Sequence, residues 1–339
     1  MHQATDISLS RLRFLRRFLI TLVILLLLCG VCGFVYENIS EARDRRFNPM
    51  PGKLVDVGGR KMHIHCTGAG SPIIILDSGL GDSYISWRQV QPEIARFAQV
   101  CSYDRAGLGY SDPAAEPRTS QGMAQELHQL LRAAGVHPPY VLVGHSMGGY
   151  NVRLFASLYR EEVAGMVLVD ASHPDQDNRF PPELKKMEGR WRREVQLVAW
   201  GAPFGIPRLL GLCDGDARVR AADCNWNSAR EGVAELNAFP ESAAQAAGSS
   251  SLGDMPLAVL SHDPDKPSSE MPTDLAKTVN AEWEKMQEEL ARLSTRGTQT
   301  IAKNSAHYIQ SDRPDVVIDA VHRIANQAQA NLLPSSSSR

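Results

Sequence analysis

The sequence predicts an α/β fold, a mostly parallel eight-stranded sheet with helices on both faces, and three observations carry that expectation. Short apolar runs recur at 73–77, 100–103, 140–143, 166–169, 257–260 and 298–302, the pattern of strands buried on both faces. Helix-like stretches separate many of them, at 120–134, 147–160, 273–294 and 313–330, and such alternation calls for a sheet covered on both sides. The composition of the 339 residues, 43% hydrophobic and 22% charged, is that of an ordinary globular core, which excludes wholesale disorder and a multi-span membrane protein.

The N-terminus is different in kind. Residues 18–36, FLITLVILLLLCGVCGFVY, are uncharged and long enough to cross a bilayer as a helix. Arg11, Arg13, Arg16 and Arg17 precede the run, and Arg43, Arg45 and Arg46 follow at a greater distance. This bias predicts a cytoplasmic N-terminus and a single-pass membrane protein with the remaining chain on the extracytoplasmic side. The alternative is a secreted protein whose signal is cleaved before Phe34, since Val31 and Gly33 are small, but the run exceeds a usual signal core and lacks a clean cleavage site. Cys29 and Cys32 are expected to face lipid. The anchor is therefore assigned to 1–36. Residues 37–52, ENISEARDRRFNPMPG, read as a spacer, charged first and then rich in Pro and Gly.

From Lys53 the pattern is that of strands. LVDV and KMHIHC flank Gly58-Gly59, a short-range hairpin signal, and bring the expected strand count to eight. Residues 172–254 hold Trp191, Trp200 and Trp226 without a strong strand signal, and are expected to form a helical cap inserted into a core of 53–171 and 255–330. The end, 331–339, reads as a flexible tail. Cys66 and Cys101 lie in strand-like runs and are expected as buried thiols. Cys213 and Cys224 flank a polar loop and are expected to pair in an exported domain, a closure worth about 2 to 3 kcal/mol. With 36 basic against 38 acidic residues, a net charge of −2 and no basic stripe, nucleic acid is not an expected partner.

The chemistry concentrates at Gly144-His145-Ser146-Met147-Gly148-Gly149, a G-x-S-x-G between the strand YVLV and the helix-like run YNVRLFASLY. A nucleophile on such a sharp turn needs a strained backbone at Ser146 and small neighbours at 144 and 148. The turn also puts the Met147 N–H at a helix N-terminus, able to stabilise an oxyanion. In this context residues 53–330 resemble an α/β-hydrolase-fold serine hydrolase with a cap. The resemblance implies that Asp77-Ser78-Gly79-Leu80-Gly81 supplies a second oxyanion donor, the Leu80 N–H, with Ser78 replacing the family's usual His. It also implies a structural role for the Asp104-Arg105-Ala106-Gly107-Leu108-Gly109-Tyr110-Ser111 segment, which is similar to the family's D-R-x-G-x-G-x-S.

A serine needs a neighbouring base. The family order of Ser, acid and His points to His307, which follows the strand TQTIA, with His173 and His262 as alternatives. The acid is expected to be Asp263, after the strand LAVLS, because Pro264 biases it toward an extended conformation at the strand's lip. Asp265 and Asp170 remain open, Asp170 because it ends the strand MVLV. These residues predict acyl transfer by Ser146 on a small or medium apolar carboxylic ester, with amide, thioester or carbon–carbon bond hydrolysis as the alternatives. A non-catalytic anchored ligand-binding protein is the rival class. No metal or organic cofactor is expected, since the sequence carries no H-E-x-x-H, P-loop or dinucleotide-binding motif.

Overall fold

The structure is a computed structural model that describes residues 2–113, 117–213, 215–249, 251–266 and 271–332, with side chains from residue 11 onward. Eight strands form one sheet: β1 (Lys53–Asp56), β2 (Lys61–Thr67), β3 (Ile73–Asp77), β4 (Val100–Tyr103), β5 (Tyr140–His145), β6 (Val163–Val169), β7 (Leu257–His262) and β8 (Gly297–Ala302). Their spatial order is β1-β2-β4-β3-β5-β6-β7-β8. The β1–β2 and β2–β4 pairs are antiparallel, and every pair beyond β4 is parallel.

Twelve α-helices accompany the sheet among the described residues. Before the cap they are α1 (His2–Phe47), α2 (Gln91–Ile94), α3 (Ser120–Ala134) and α4 (Gly148–Leu158). Between β6 and β7 come α5 (Gln176–Arg179), α6 (Pro182–Gly201), α7 (Ile206–Leu209), α8 (Ala217–Asp223) and α9 (Trp226–Ala247). The rest are α10 (Thr273–Ala291), α11 (Ile309–Asp312) and α12 (Pro314–Leu332).

Alternate strand residues point to opposite faces, and the core divides accordingly. Ile73, Ile75, Leu142, Met166, Leu168 and Val259 join α3 and α4 through Leu127, Leu130 and Phe155. Ile74, Leu76, Val141, Val143, Val167 and Leu260 meet α2 and α12 through Ile94, Val317, Val321 and Ile324. Both faces are thus dry over the central strands β3, β5, β6 and β7, which is why those sequences are largely continuous apolar runs, whereas the edge strands β1 and β8 stay partly exposed.

Two sequence expectations need correction. Residues 37–47 are not a spacer but the continuation of α1. Glu41 and Arg45 pair at i,i+4 spacing, a helix-supporting arrangement, and Arg208 of the cap ties Glu37 and Asp44 along one side. The helix stops where Pro49 restricts Asn48 to extended conformations. Cys66 and Cys101 are not free thiols but a disulfide between directly opposed positions of β2 and β4. Cys213 and Cys224 are also bonded to each other. Of the 331–339 stretch, residues 331 and 332 close α12 and the rest lies outside the described residues.

The segment between β6 and β7 covers the C-terminal edge of the sheet. Phe239, Ala243 and Ala246 of α9 pack on Met123 of α3 and on Met147 and Tyr150 beside the β5–α4 turn. Phe180 and Leu184 pack on Val279, Trp283 and Met286 of α10. Pro240 lies within α9 and has no N–H for the carbonyl four residues back. That carbonyl, of Leu236, instead accepts from Arg192 Nη1 at 2.9 Å, which joins α6 to α9.

Candidate active site

Ser146 occupies the turn between β5 and α4 with φ of 51°, a left-handed conformation that costs a non-glycine residue energy and is retained only when its surroundings enforce it. They do so here. The Ser146 N–H donates to the Val169 carbonyl at 3.2 Å, and its carbonyl accepts from Gly149 and Ser172. A Cβ on Gly144 would lie 2.6 Å from the Gly148 carbonyl oxygen, and one on Gly148 would lie 2.5 Å from that of Asp77. Strand, turn and helix therefore approach at backbone distance, and both glycines are required by space.

The loop after β3 is clamped from below. Arg105 is buried; its Nη1 donates to Asp77 Oδ1 at 2.9 Å and to the Ser78 carbonyl, its Nη2 to the Gly79 carbonyl at 2.6 Å, and its Nε to Glu235 Oε1 at 2.6 Å. Burial works against the guanidinium charge, but Glu235 and Asp77 overcome it and hold the pKa above that of an ordinary arginine. Glu235, from α9, also accepts the Gly81 N–H at 2.8 Å. Ser78 supports the same loop with its side chain, donating to the Ser83 carbonyl at 3.0 Å. Among the described residues, neither the Leu80 nor the Met147 N–H is taken by a protein acceptor. Asp104 joins the segments after β3 and after β4 by accepting the Tyr84 and Tyr110 N–H groups, and it bonds His63 Nδ1 of β2 at 2.7 Å.

His307 follows β8, and its Nδ1 donates to Asp170 Oδ2 at 2.7 Å. This corrects the sequence expectation of Asp263. The Asp263 carboxylate is turned away from the imidazole, accepting the Asn304 N–H at 2.8 Å and Lys303 Nζ at 3.1 Å, and Asp265 is likewise engaged with Lys303. The physical reason is the backbone at the end of β6. Asp170 has φ of 42°, and its N–H is held by the Leu260 carbonyl of β7 at 2.7 Å. Its carboxylate thereby reaches both His262 at the end of β7 and His307 in the loop after β8.

Asp170 is completely buried and fully partnered. Oδ1 accepts from Trp283 Nε1 at 2.8 Å and from the His262 N–H at 3.0 Å, and Oδ2 lies 2.9 Å from His262 Nδ1. Burial alone would raise its pKa, but His262 and His307 outweigh it and hold the carboxyl far below the usual range. His262 in turn is lowered by burial and raised by Asp170, with a net rise. His262 and Trp283 thus surround the acid, and the sequence reading missed both contacts; a His directly after an apolar strand and beside the expected acid was the available signal. His173 pairs with Glu289 instead. His145 donates from Nε2 to the His307 carbonyl at 3.0 Å, and burial together with His307 pulls its pKa down to about 3, so it remains neutral.

Ser146, His307 and Leu80 line one cavity of about 820 Å³ beneath the cap. Its walls are largely apolar, with Leu184, Met187 and Trp191 from α6, Leu236 and Phe239 from α9, and Trp283 from α10. Polar groups enter from two sides, Ser146, His145 and His307 at the end of the sheet and Gln176, Asp177, Glu188 and Arg192 from α5 and α6 of the cap, a few polar groups among apolar walls being typical of a small-molecule site. No cluster of three or more metal-ligating side chains occurs among the described residues.

Comparison with known proteins agrees with this architecture. Residues 71–289 match the family model described as alpha/beta hydrolase fold. The uncharacterized protein YqjL of Bacillus subtilis (strain 168) is 28% identical over 274 residues, 80% of this chain and 91% of that protein. The putative carbamate hydrolase RutD of Cronobacter sakazakii is 36% identical over 102 residues, but these cover only 30% of this chain and 38% of RutD. Among solved structures, the epoxide hydrolase CorEH superposes with a TM-score of 0.58 at 19% identity, covering 80% of this chain and 97% of its own. A thermophilic esterase from Thermogutta terrifontis does so with 0.53 at 20% identity, covering 81% and 98%. Sheet order, serine turn and matched sequence lead to one assignment: the chain belongs to the α/β-hydrolase family.

Proposed function

We propose that the protein is a membrane-anchored serine hydrolase that cleaves carboxylic esters through an acyl-enzyme. The observation that carries this reading is the 2.7 Å bond from His307 Nδ1 to Asp170, with His307 and Ser146 on the wall of one cavity. With Nδ1 committed as donor, the neutral imidazole keeps a lone pair on Nε2 to receive the serine proton. Ser146 Oγ attacks the carbonyl carbon as that proton passes to His307, and the Leu80 and Met147 N–H groups hold the oxyanion. The leaving alkoxide takes the proton from His307. Water then attacks the acyl-enzyme by the same route, giving acid, alcohol and free Ser146. Asp170 fixes the imidazole's orientation and stabilises its charged form.

The apolar walls favour an apolar acyl or aryl group. Ser146 at the turn speaks against epoxide or haloalkane chemistry, which in this fold uses a carboxylate nucleophile. Residues 18–36 of α1 serve as the anchor. The Arg-rich flank before them favours an extracytoplasmic hydrolase domain, and two disulfides suit an oxidising compartment.

The test is turnover of p-nitrophenyl esters of graded acyl length by the full chain in detergent micelles, beside Ser146→Ala. Wild-type turnover that disappears in the variant is the expected result, and the length profile then reports the pocket. Equal activity in both proteins would overturn the serine's role. Ester-inactive wild type that cleaves amides, thioesters or carbon–carbon bonds would overturn ester specificity alone, and ligand binding without turnover would support the non-catalytic class.

A further inference from the structure

The cap carries a surface that the hydrolase chemistry does not use. From Val195 to Cys213 the sequence holds a single charged residue, Arg208, and its guanidinium is neutralised by Glu37 at 3.1 Å and Asp44 at 2.6 Å. Large apolar side chains in this stretch face outward: Trp200 is 83% exposed, Leu197 71%, Leu209 68% and Leu210 65%. So much contiguous apolar area on a soluble surface calls for a covering partner.

The position of the patch identifies what covers it. Phe204 lies between α6 and α7, and it packs on α1 inside the apolar run. A Cβ on Gly33 would come within 2.5 Å of the Phe204 carbonyl oxygen, and one on Gly30 within 3.8 Å of its ring. Within residues 18–36 only these two glycines are not exposed; every other position faces outward. Gly33 is three residues inside the run's end at Tyr36, about 4.5 Å of helix rise, and the whole run spans about 28 Å, close to a bilayer's hydrocarbon thickness. If 18–36 span the bilayer, Phe204 is held at the depth of its outer leaflet, and α7, whose Arg208 pairs with Glu37 and Asp44 just beyond the run, is held at the outer boundary of that leaflet.

We propose that the apex of the cap, the last turns of α6 together with α7, is a second membrane contact that seats in the outer leaflet of the bilayer crossed by α1. Trp200, Leu197, Leu209 and Leu210 meet that leaflet at its interfacial level, the depth favoured by amphipathic rings. The same α6 lines the cavity through Leu184, Met187 and Trp191, so the site is tied to the lipid surface by a single helix. This inference rests on the proposed anchoring by α1.

The experiment reconstitutes the full chain into phosphatidylcholine vesicles with and without mid-chain brominated lipid, and compares tryptophan quenching in wild type, Trp200→Phe and Trp226→Phe. Co-flotation with the vesicles tests α1 separately. The expected result is co-flotation, with most of the lipid-dependent quenching lost in Trp200→Phe and retained in Trp226→Phe. Co-flotation with equal bromolipid quenching in wild type and Trp200→Phe, and Trp200 emission open to aqueous acrylamide, would overturn the docking and leave the anchor intact. Trp200 shielded from both quenchers would mean that a second copy covers the patch, which also overturns it. Failure to float would remove the anchor itself and the inference with it.

Discussion

At the scale of single residues, the acid decides the arrangement. Asp170 and Asp263 both stand just beyond parallel strands, but only Asp170 touches the imidazole. Replacing Asp170 by Asn keeps the volume and loses the tautomer control, so kcat is expected to fall by about 10³- to 10⁴-fold. Asp263→Asn, measured in the same assay, is expected to stay close to wild type. The reverse ranking would return Asp263 to the site. His262 adds a pH signature. Its folded pKa lies above 6.5 because Asp170 outweighs burial, so its contribution to stability is complete below that value and is lost as pH rises through the folded pKa. The urea midpoint difference between wild type and His262→Gln is therefore expected to be larger near about pH 5.5 than near about pH 9. A difference independent of pH would show that the pair contributes packing only.

At the scale of elements, one guanidinium links three segments. Arg105, beyond β4, holds the carbonyls of the loop after β3 and the Glu235 carboxylate of α9. An Arg105→Met variant leaves Asp77 and Glu235 buried without their counter-ion, a loss of about 3–5 kcal/mol by analogy with other broken buried pairs. Chemical denaturation measures it, and a loss below about 1 kcal/mol would mean that the carboxylates take up protons at little cost. The D-R-x-G-x-G-x-S motif was legible in the sequence as a structural loop, but its partner Glu235 was not. That residue is 130 positions away, and nothing local to a helix in the cap marks one glutamate as buried.

At the scale of the whole molecule, Arg208 and Phe204 hold the cap to α1, and the Cys213–Cys224 bond cross-links the cap beside them. That bond joins the segment after α7 to the end of α8 and so closes a short loop that contains α8, and the double variant Cys213→Ala/Cys224→Ala is expected to lose about 2 to 3 kcal/mol in urea unfolding. An unchanged midpoint would mean that the loop is equally ordered without the cross-link. Residues 37–52 illustrate what sequence reading misses at this scale. Their charge looks like a solvated spacer, but Glu37 and Asp44 carry it because they face Arg208, 171 and 164 positions onward.

The sequence by itself determined the eight-stranded α/β sheet and the serine turn, because both depend on short-range regularities. Strands buried on two faces must be continuously apolar, and a strand-to-helix turn this tight admits only small residues at 144 and 148. Tertiary structure alone decided which carboxylate meets His307, that Cys66 and Cys101 face each other across β2 and β4, and that α1 runs on to meet the cap. Each of these depends on a distance between segments far apart in the chain. Asp170 wins over Asp263 through a left-handed φ and one hydrogen bond to β7, terms that exist only once β6, β7 and β8 lie side by side.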